Sequence, residues 1–250
     1  EMLGDFVLAE ATKYGIDISR CRRDPAANTA YTFVAVESRG ERRFFHAVGS
    51  NATFRAEELD VDFVTRHRLC YVGGAMVMPG LDGAPLAGVL AKIRAGGTVT
   101  VLDTVYVNQP TERWRQLIFP VLPHLDYFVP SEPEANALSG RRDPADIAAF
   151  LRDHGAINVV VKLGEKGVYY SLTTGESGLV PAYRVPKVVD TTGAGDAWDA
   201  GFLAGLSMGQ AVAEACRLGN ATAAFCIQAA GASTGVPALS RIQEFQRSAR

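Results

Sequence analysis

Residues 188–202 read VVDTTGAGDAWDAGF and join a β-branched segment to an apolar helical pattern through a Gly-Ala-Gly turn. Glycine permits a tight backbone turn, and the absence of side chains exposes successive amide N–H groups where a helix begins. Those donors and the positive end of the helix dipole together favour an anion. The stretch therefore predicts a strand, an anion site at residues 193–195, and a helix that continues to residue 207.

Asp196 lies at the mouth of this predicted anion site, where its charge would repel a phosphate. Accepting the proton of a hydroxyl that attacks phosphorus would account for an acid at this position. Helix capping is the alternative interpretation, because Asp, Thr and Gly all favour helix N-termini. Capping would explain a short Thr-Gly-x-Gly-Asp fragment better, whereas the whole string favours the catalytic interpretation.

Short apolar strands alternate with helical patterns in the rest of the chain. Such alternation implies a mostly parallel sheet covered by helices on both faces, which is an α/β fold. Strands are predicted at 69–72, 98–102, 126–129 and 158–162, a hairpin at 167–180, and helices near 2–14, 56–67, 84–95, 111–122, 143–154, 195–207, 209–230 and from 237.

Two β-like stretches near the beginning, residues 30–36 and 43–48, predict a separate hairpin that turns at residues 38–41. Phe45 is its candidate substrate contact. Ordinary packing, or a dimer contact formed between two such hairpins, remains the alternative for the aromatic side chains on these strands.

The composition excludes several classes of protein. The 250 residues carry 25 basic and 27 acidic side chains, a net charge of −2, which argues against a dedicated nucleic-acid binder. No apolar run approaches the roughly 18 residues that cross a bilayer, and no signal-like start is present. The four cysteines are widely spaced, as expected of buried thiols in a reducing compartment. We therefore expect a cytoplasmic protein without nucleic-acid or membrane partners.

The string at 190–202 closely resembles the second signature of the ribokinase-like sugar kinases, the PfkB carbohydrate kinase family, and the resemblance covers almost the whole chain. It implies a Rossmann-like three-layer α/β/α sandwich over residues 1–250, with a small β lid at about 30–48. It also implies ATP-dependent phosphorylation of a hydroxyl on a small sugar. Asp196 would be the base, and the amides of Gly193, Ala194 and Gly195 would hold the transferring phosphoryl group.

The resemblance also implies nucleotide contacts. The turn that contains Lys162, Gly164 and Gly167 is similar to the family's strand-end turn beneath the nucleotide, and Asn220 falls where the family has an asparagine near the adenine. Ser131 stands at the position of a family asparagine near the triphosphate, with a shorter side chain. No P-loop pattern occurs anywhere in the chain.

Two cation sites follow from the same resemblance. Glu134 matches the glutamate that organises the Mg²⁺ of MgATP through water. Asp190 and Thr192 match residues whose oxygens hold K⁺, together with carbonyls at 229–235, although Gly235 stands where some relatives offer a hydroxyl. An Asx-type turn is the alternative explanation for Asp190.

The substrate side resembles the family least. The family's early aspartate and Gly-Gly-x-x-x-Asn element are absent, so we expect the working protein to have a preceding segment. Asp103 is the candidate acceptor contact, but Val105 and Val107 replace the polar partners that ketodeoxygluconate kinases and fructokinases carry there, which argues against an acidic sugar. A nucleoside kinase on the same fold, and a non-catalytic relative that binds sugar or nucleotide, are the alternatives. A homodimer formed through the lid is the expected assembly.

Overall fold

The computed structural model describes residues 2–36 and 42–248. Its elements, in chain order, are α1 (Met2–Lys13), β1 (Tyr31–Val36), β2 (Arg42–Ala47), α2 (Val61–Val64), β3 (Leu69–Ala75), α3 (Ala84–Ala95), β4 (Val99–Thr104), α4 (Thr111–Ile118), β5 (Tyr127–Phe128), α5 (Glu132–Ser139), α6 (Pro144–Asp153), β6 (Asn158–Lys162), β7 (Val168–Ser171), β8 (Ser177–Val180), α7 (Ala194–Ser207), α8 (Val212–Cys226) and α9 (Leu239–Ser248).

Six strands form the central sheet in the order β3-β4-β5-β6-β7-β8. Strands β3 to β6 pair in parallel, whereas β7 and β8 extend the sheet as an antiparallel hairpin. Because the first four strands run in the same direction, their carboxyl ends lie along one edge. The sheet confirms the four strands predicted at 69–72, 98–102, 126–129 and 158–162 and the predicted second hairpin.

Helices cover both faces of the sheet, and strand β6 shows why. Val159, Val160 and Val161 are all fully buried, and alternate residues of a strand point to opposite faces. Val159 and Val161 join one core cluster with side chains of α3 to α6, and Val160 joins another with Trp198 and Phe202 of α7. The predicted three-layer α/β/α sandwich is therefore confirmed. No helix within the described ranges is long and apolar enough to span a membrane.

The lid hairpin is also present. Strands β1 and β2 pair antiparallel, with Thr32 opposite His46 and Phe33 opposite Phe45. The Phe33 and Phe45 ring centroids are 6.3 Å apart, and 59% of Phe45 is exposed. The predicted turn at 38–41 lies outside the described residues.

Three predicted helices are shorter than expected, and the one predicted over 209–230 spans only Val212–Cys226. In place of a helix over 56–67 there is a 3₁₀ turn and then the one-turn helix α2, because the Asp60 carboxylate accepts the Phe63 amide and starts a new helix. The helix predicted over 111–122 ends at Ile118, and its last residues form a separate turn around Pro120 and Pro123. Proline lacks the amide that would continue an α-helix.

Two further local differences lie near the site. The strand predicted before Gly193 is wrong: the amides of Val189 and Asp190 donate to the Ile227 carbonyl at the end of α8 rather than to a sheet neighbour. Helix α5 was not predicted from the apolar pattern. Ser131 and Glu134 form a capping box at its start, and Gly140 ends it with a left-handed backbone.

Candidate active site

The carboxyl edge of the parallel strands is where the chemically interesting side chains meet. Asp103 is the penultimate residue of β4, Ser131 follows β5, and Lys162 ends β6. Ser131 forms a parallel bridge with Lys162, so the two chain segments are adjacent. Ligands of open α/β sheets bind in the crevice outside this edge.

Helix α7 begins at the same edge, at the turn that the sequence singled out. Gly193 caps it with φ of +76°, and a Cβ on Gly193 would lie 2.4 Å from the Ala232 carbonyl oxygen. Only glycine fits this turn, since the backbone is left-handed and a neighbouring segment presses against it. The turn therefore requires glycine at residue 193 partly because Ala232 packs against it.

The three amides of the predicted anion site are not equivalent. The Ala194 amide donates to the Thr191 carbonyl at 3.2 Å, whereas the Gly193 and Gly195 amides have no hydrogen-bond acceptor within the described part of the chain. Unpaired N–H groups at a helix start are donors for an incoming anion. Asp196 is the third residue of α7 and is exposed. The structure thus places an accessible carboxylate one residue after two unpaired amides.

Lys162 lies next to this turn and is largely buried. Its Nζ is 2.9 Å from Asp103 Oδ1 and 3.1 Å from Asp199 Oδ1, and only about a tenth of its side chain is exposed. Burial alone would lower the pKa of Lys162, but the two carboxyl groups more than offset it, so the pKa is raised. Burial raises the pKa of Asp103 to about 8, against the opposing effect of the ammonium. The ammonium predicted to contact nucleotide is thus engaged by carboxyl groups.

Asp199 and Tyr71 belong to this cluster and were missed in the sequence. The Tyr71 hydroxyl donates to Asp199 Oδ2 at 2.8 Å, and Asp199 is 1% exposed. Burial and the adjacent carboxylate raise the pKa of Tyr71. An acidic residue on the apolar face of α7 is the signal that could have found Asp199, because charged side chains are rarely buried unless they are paired.

Glu134 is held at the start of α5. Its Oε2 accepts the Ser131 amide at 2.7 Å and the Thr104 hydroxyl at 3.0 Å, and the carboxyl is 8% exposed. Burial raises the pKa of Glu134, and the hydrogen bond from Ser131 opposes that shift. Oε1 makes no hydrogen bond to any described residue. A fixed carboxylate with one oxygen left over fits a magnesium ion or its bound water, since Mg²⁺ prefers oxygen ligands.

The predicted potassium residues are also adjacent to the α7 turn. Asp190 Oδ1 accepts the Thr192 amide at 2.8 Å, and Oδ2 accepts the Gly231 amide at 3.0 Å. The Asx-type turn is therefore present. The carbonyls of Thr192 and Ala232 lie 3.6 and 3.1 Å from Cys226 Sγ, so they are close to one another. Carboxylate and backbone carbonyl oxygens are the kind of donor that suits a hard monovalent cation.

The other residues predicted to contact the nucleotide are Asn220, Gly164 and Gly167. Asn220 is buried: its amide donates to the carbonyls of Val180 and Pro181, and its Oδ1 accepts the Trp198 indole N–H at 2.8 Å. Both amide hydrogens are engaged, so Oδ1 is the atom that could accept a further bond without replacing one of these.

Gly164 and Gly167 bracket the turn after β6, and both have positive φ. A Cβ on Gly167 would lie 2.0 Å from the Val180 carbonyl oxygen, so packing against β8 requires this glycine. Of the two candidate substrate contacts, Asp103 joins the buried cluster, whereas the described ring contact of Phe45 is with Phe33 on the lid.

The chain is similar to a known family of proteins along almost its whole length. Residues 1–239 match the model of the pfkB family of carbohydrate kinases. The chain is 29% identical over 256 aligned residues to 2-dehydro-3-deoxygluconokinase from Bacillus subtilis, covering 98% of this chain and 78% of that protein.

Two solved structures have the same fold. A ribokinase from Thermotoga maritima superposes with a TM-score of 0.83 and 25% identity, covering 99% of this chain and 78% of that one. An Arabidopsis thaliana ribokinase complexed with ribose and ATP gives 0.77 at 22% identity, covering 88% and 70%.

Proposed function

Because the chain belongs to the pfkB family of carbohydrate kinases, whose members phosphorylate hydroxyl groups, we propose that it transfers the γ-phosphoryl group of ATP to a hydroxyl of a small sugar, with Asp196 as the general base. The amides of Gly193, Ala194 and Gly195 hold the transferring group in this proposal. Residues 1–250 act as one kinase domain, and β1 and β2 form its lid.

The observation that carries the proposal is the start of α7. Two unpaired amides at the positive end of a helix attract the phosphoryl group, and the exposed Asp196 carboxylate, one residue later on the same turn, would orient an acceptor hydroxyl. Phosphoryl transfer is mainly a matter of positioning and charge stabilisation. A preorganised donor contributes about 10²–10³ in rate and a positioned base about 10²–10⁴.

The nucleotide is proposed to lie along the carboxyl edge, from Ser131 to the turn of Gly164 and Gly167. Asn220 would act indirectly, by holding the segment at Val180 and Pro181 through its amide. Glu134 would hold the magnesium ion or its water through Oε1. When bound, this ion neutralises charge on the phosphates. Thr104 and Ser131 fix the carboxylate so that it does not have to reorganise.

A monovalent cation is proposed at Asp190 and at the carbonyl oxygen of Thr192. Its charge would lie just behind the α7 turn and would strengthen the attraction of the amides for phosphate. A homodimer is proposed through the lid, because aromatic side chains of β1 and β2 such as Phe33 and Phe45 are exposed.

The acceptor is proposed to be a neutral sugar that contacts Asp103 and, from the lid, Phe45. Val105 and Val107 follow Asp103 where ketodeoxygluconate kinases and fructokinases carry polar side chains. Val107 packs against the core, and Val105 is 40% exposed. Neither side chain can neutralise a substrate carboxylate.

The test is an assay of ADP release from MgATP with neutral pentoses and hexoses, a 2-keto-3-deoxy sugar acid, and nucleosides as acceptors. We expect the highest kcat/KM with a neutral sugar. A preference for nucleosides would favour the alternative kinase activity. Nucleotide binding without ADP release from any acceptor would contradict the proposal and favour a non-catalytic sugar- or nucleotide-binding protein.

Replacing Glu134 by glutamine is expected to raise the Mg²⁺ concentration for half-maximal rate by about tenfold, within the range for groups that orient metal ligands. Both hydrogen bonds to Glu134 go to one oxygen, so the glutamine carbonyl can keep them and the fold should be retained. Magnesium titration at saturating ATP measures the effect.

Glu132→Gln is the matched control for this substitution. Glu132 lies on the same first turn of α5 and pairs with Lys166 at 3.6 Å. Its replacement should leave the magnesium titration unchanged. If the Glu134 and Glu132 variants gave the same titration as the original protein, Glu134 would have no role with the metal.

A further inference from the structure

The buried ion cluster behind α7 connects separate parts of the fold. Lys162 at the end of β6 contacts Asp103 of β4 and Asp199 of α7 at 2.9 and 3.1 Å. Tyr71 of β3 donates to Asp199 at 2.8 Å. Asp199 of α7 is therefore bound directly by residues of β6 and β3, and Lys162 links it to β4.

Such a cluster is an unusual way to attach a helix to a sheet. Ionised side chains are costly to remove from water, and apolar residues of similar volume would often stabilise the fold as well or better. Asp199, at 1% exposed, and Lys162, at 9%, lie among the otherwise apolar side chains that bury α7. Hydrogen bonds between ions fix the orientation of the two groups that they join, whereas apolar contacts do not. The cluster is therefore suited to orienting helix α7 relative to the sheet.

The position of Asp199 along the helix shows what would be oriented. Residues three apart lie on neighbouring turns of a helix, so fixing Asp199 fixes the rotation of the turn that carries Asp196. A Cβ built on Gly195 would lie 3.7 Å from Lys162 Nζ, so the ammonium is close to the first turn. The cluster thus sets the direction of the carboxylate and of the unpaired amides together.

We propose that Lys162 is a positioning residue: through Asp199 and Asp103 it holds the first turn of α7 in register with the strand ends, so that the Asp196 carboxylate and the helix-start amides are aligned for phosphoryl transfer. This rests on the proposed function for its kinetic consequence, but the structural consequence can be measured separately. Lys162 contacts neither substrate in this proposal.

The decisive variant is Lys162→Met combined with Asp199→Asn. Lys162→Met alone leaves two buried carboxyl groups without a cation and is expected to lower the thermal midpoint. The double variant removes one charge of each sign and should recover most of that loss, but it lacks the tether. We expect its kcat to fall about 10- to 100-fold with KM for MgATP changed less than about threefold, since small misplacements of catalytic groups cost this much.

The matched control is Arg94→Met with Asp126→Asn. This ion pair, at 2.9 Å, joins α3 to the residue before β5, at the other end of the strands. Its removal should leave kcat unchanged. If the Lys162→Met/Asp199→Asn protein regained both stability and kcat, Lys162 would only balance charge and the inference would be wrong.

Hydrogen exchange separates this inference from the proposed function. Peptides that cover residues 190–200 should take up deuterium faster in the double variant than in the original protein, while the Arg94→Met/Asp126→Asn protein shows no change there. Unchanged exchange in this segment would overturn the positioning role even if the original protein phosphorylated none of the acceptors. Faster exchange together with an inactive original protein would overturn only the kinase proposal.

Discussion

Replacing Asp196 by asparagine is expected to lower kcat by at least about 100-fold while MgATP binding is largely retained. Asparagine has nearly the same shape but cannot accept the proton of an acceptor hydroxyl. Asp196 is exposed and makes no hydrogen bond or ion pair with the described residues, so the fold does not depend on it. Steady-state kinetics with the best acceptor, together with calorimetric titration of the nucleotide, measure the two effects.

The matched control is Asp146→Asn. Asp146 is the third residue of α6, as Asp196 is the third residue of α7, and both are acidic groups in the first turn of a helix. Loss of the favourable interaction with the helix dipole costs both variants about 0.3–1 kcal/mol of stability. Only Asp196→Asn should lose turnover. Wild-type kcat in that variant would remove Asp196 from the mechanism.

Much of the fold could be predicted because short stretches of sequence determine many of its strands and turns. The run of valines at 159–161 favours a strand with both faces covered, and the structure buries all three in such a strand. Gly193 and Gly195 mark a strained turn and a helix start in the sequence itself. The same local information placed the lid hairpin, since alternating aromatic side chains favour a strand.

Local patterns failed where a helix is short or interrupted. The capping-box residues Ser131 and Glu134 are a helix-start signal, but the apolar pattern after them is weak. The sequence therefore indicates only a nucleotide contact at Ser131 and a magnesium residue at Glu134, and not the helix. The segment before Asp190 is β-branched and still forms no strand. Its amides donate to the end of α8, a partner that lies far along the chain.

The buried cluster could not be predicted from spacing. Asp103, Lys162 and Asp199 are far apart in sequence and meet only because β4, β6 and α7 converge at one edge of the sheet. The sequence shows each only as a separate polar residue, and the predicted roles of Lys162 at the nucleotide and Asp103 at the acceptor remain predictions. Only the three-dimensional arrangement shows that they bind each other.

Replacing Gly195 by alanine is expected to lower kcat by about 100-fold without destabilising the protein. Gly195 is the second residue of α7, where alanine is favoured over glycine by up to about 1 kcal/mol. A new Cβ would meet nothing closer than Lys162 Nζ at 3.7 Å. Because Cα–Cβ bonds tilt towards the helix N-terminus, the methyl group would occupy the space in front of the unpaired amides. Losing one such donor costs about 10²–10³ in rate.

Gly193→Ala, two residues earlier, shows what a structural lesion would look like. Its Cβ would lie 2.4 Å from the Ala232 carbonyl oxygen and 2.6 Å from the Ala232 Cα, at a residue whose φ is +76°. The left-handed backbone alone costs about 1–2 kcal/mol, and the clash with main-chain atoms adds to it. This variant should therefore lose both kcat and several degrees of thermal midpoint, whereas Gly195→Ala should lose only kcat. Full activity in Gly195→Ala would mean that the phosphoryl group does not rest on the amides at the start of α7.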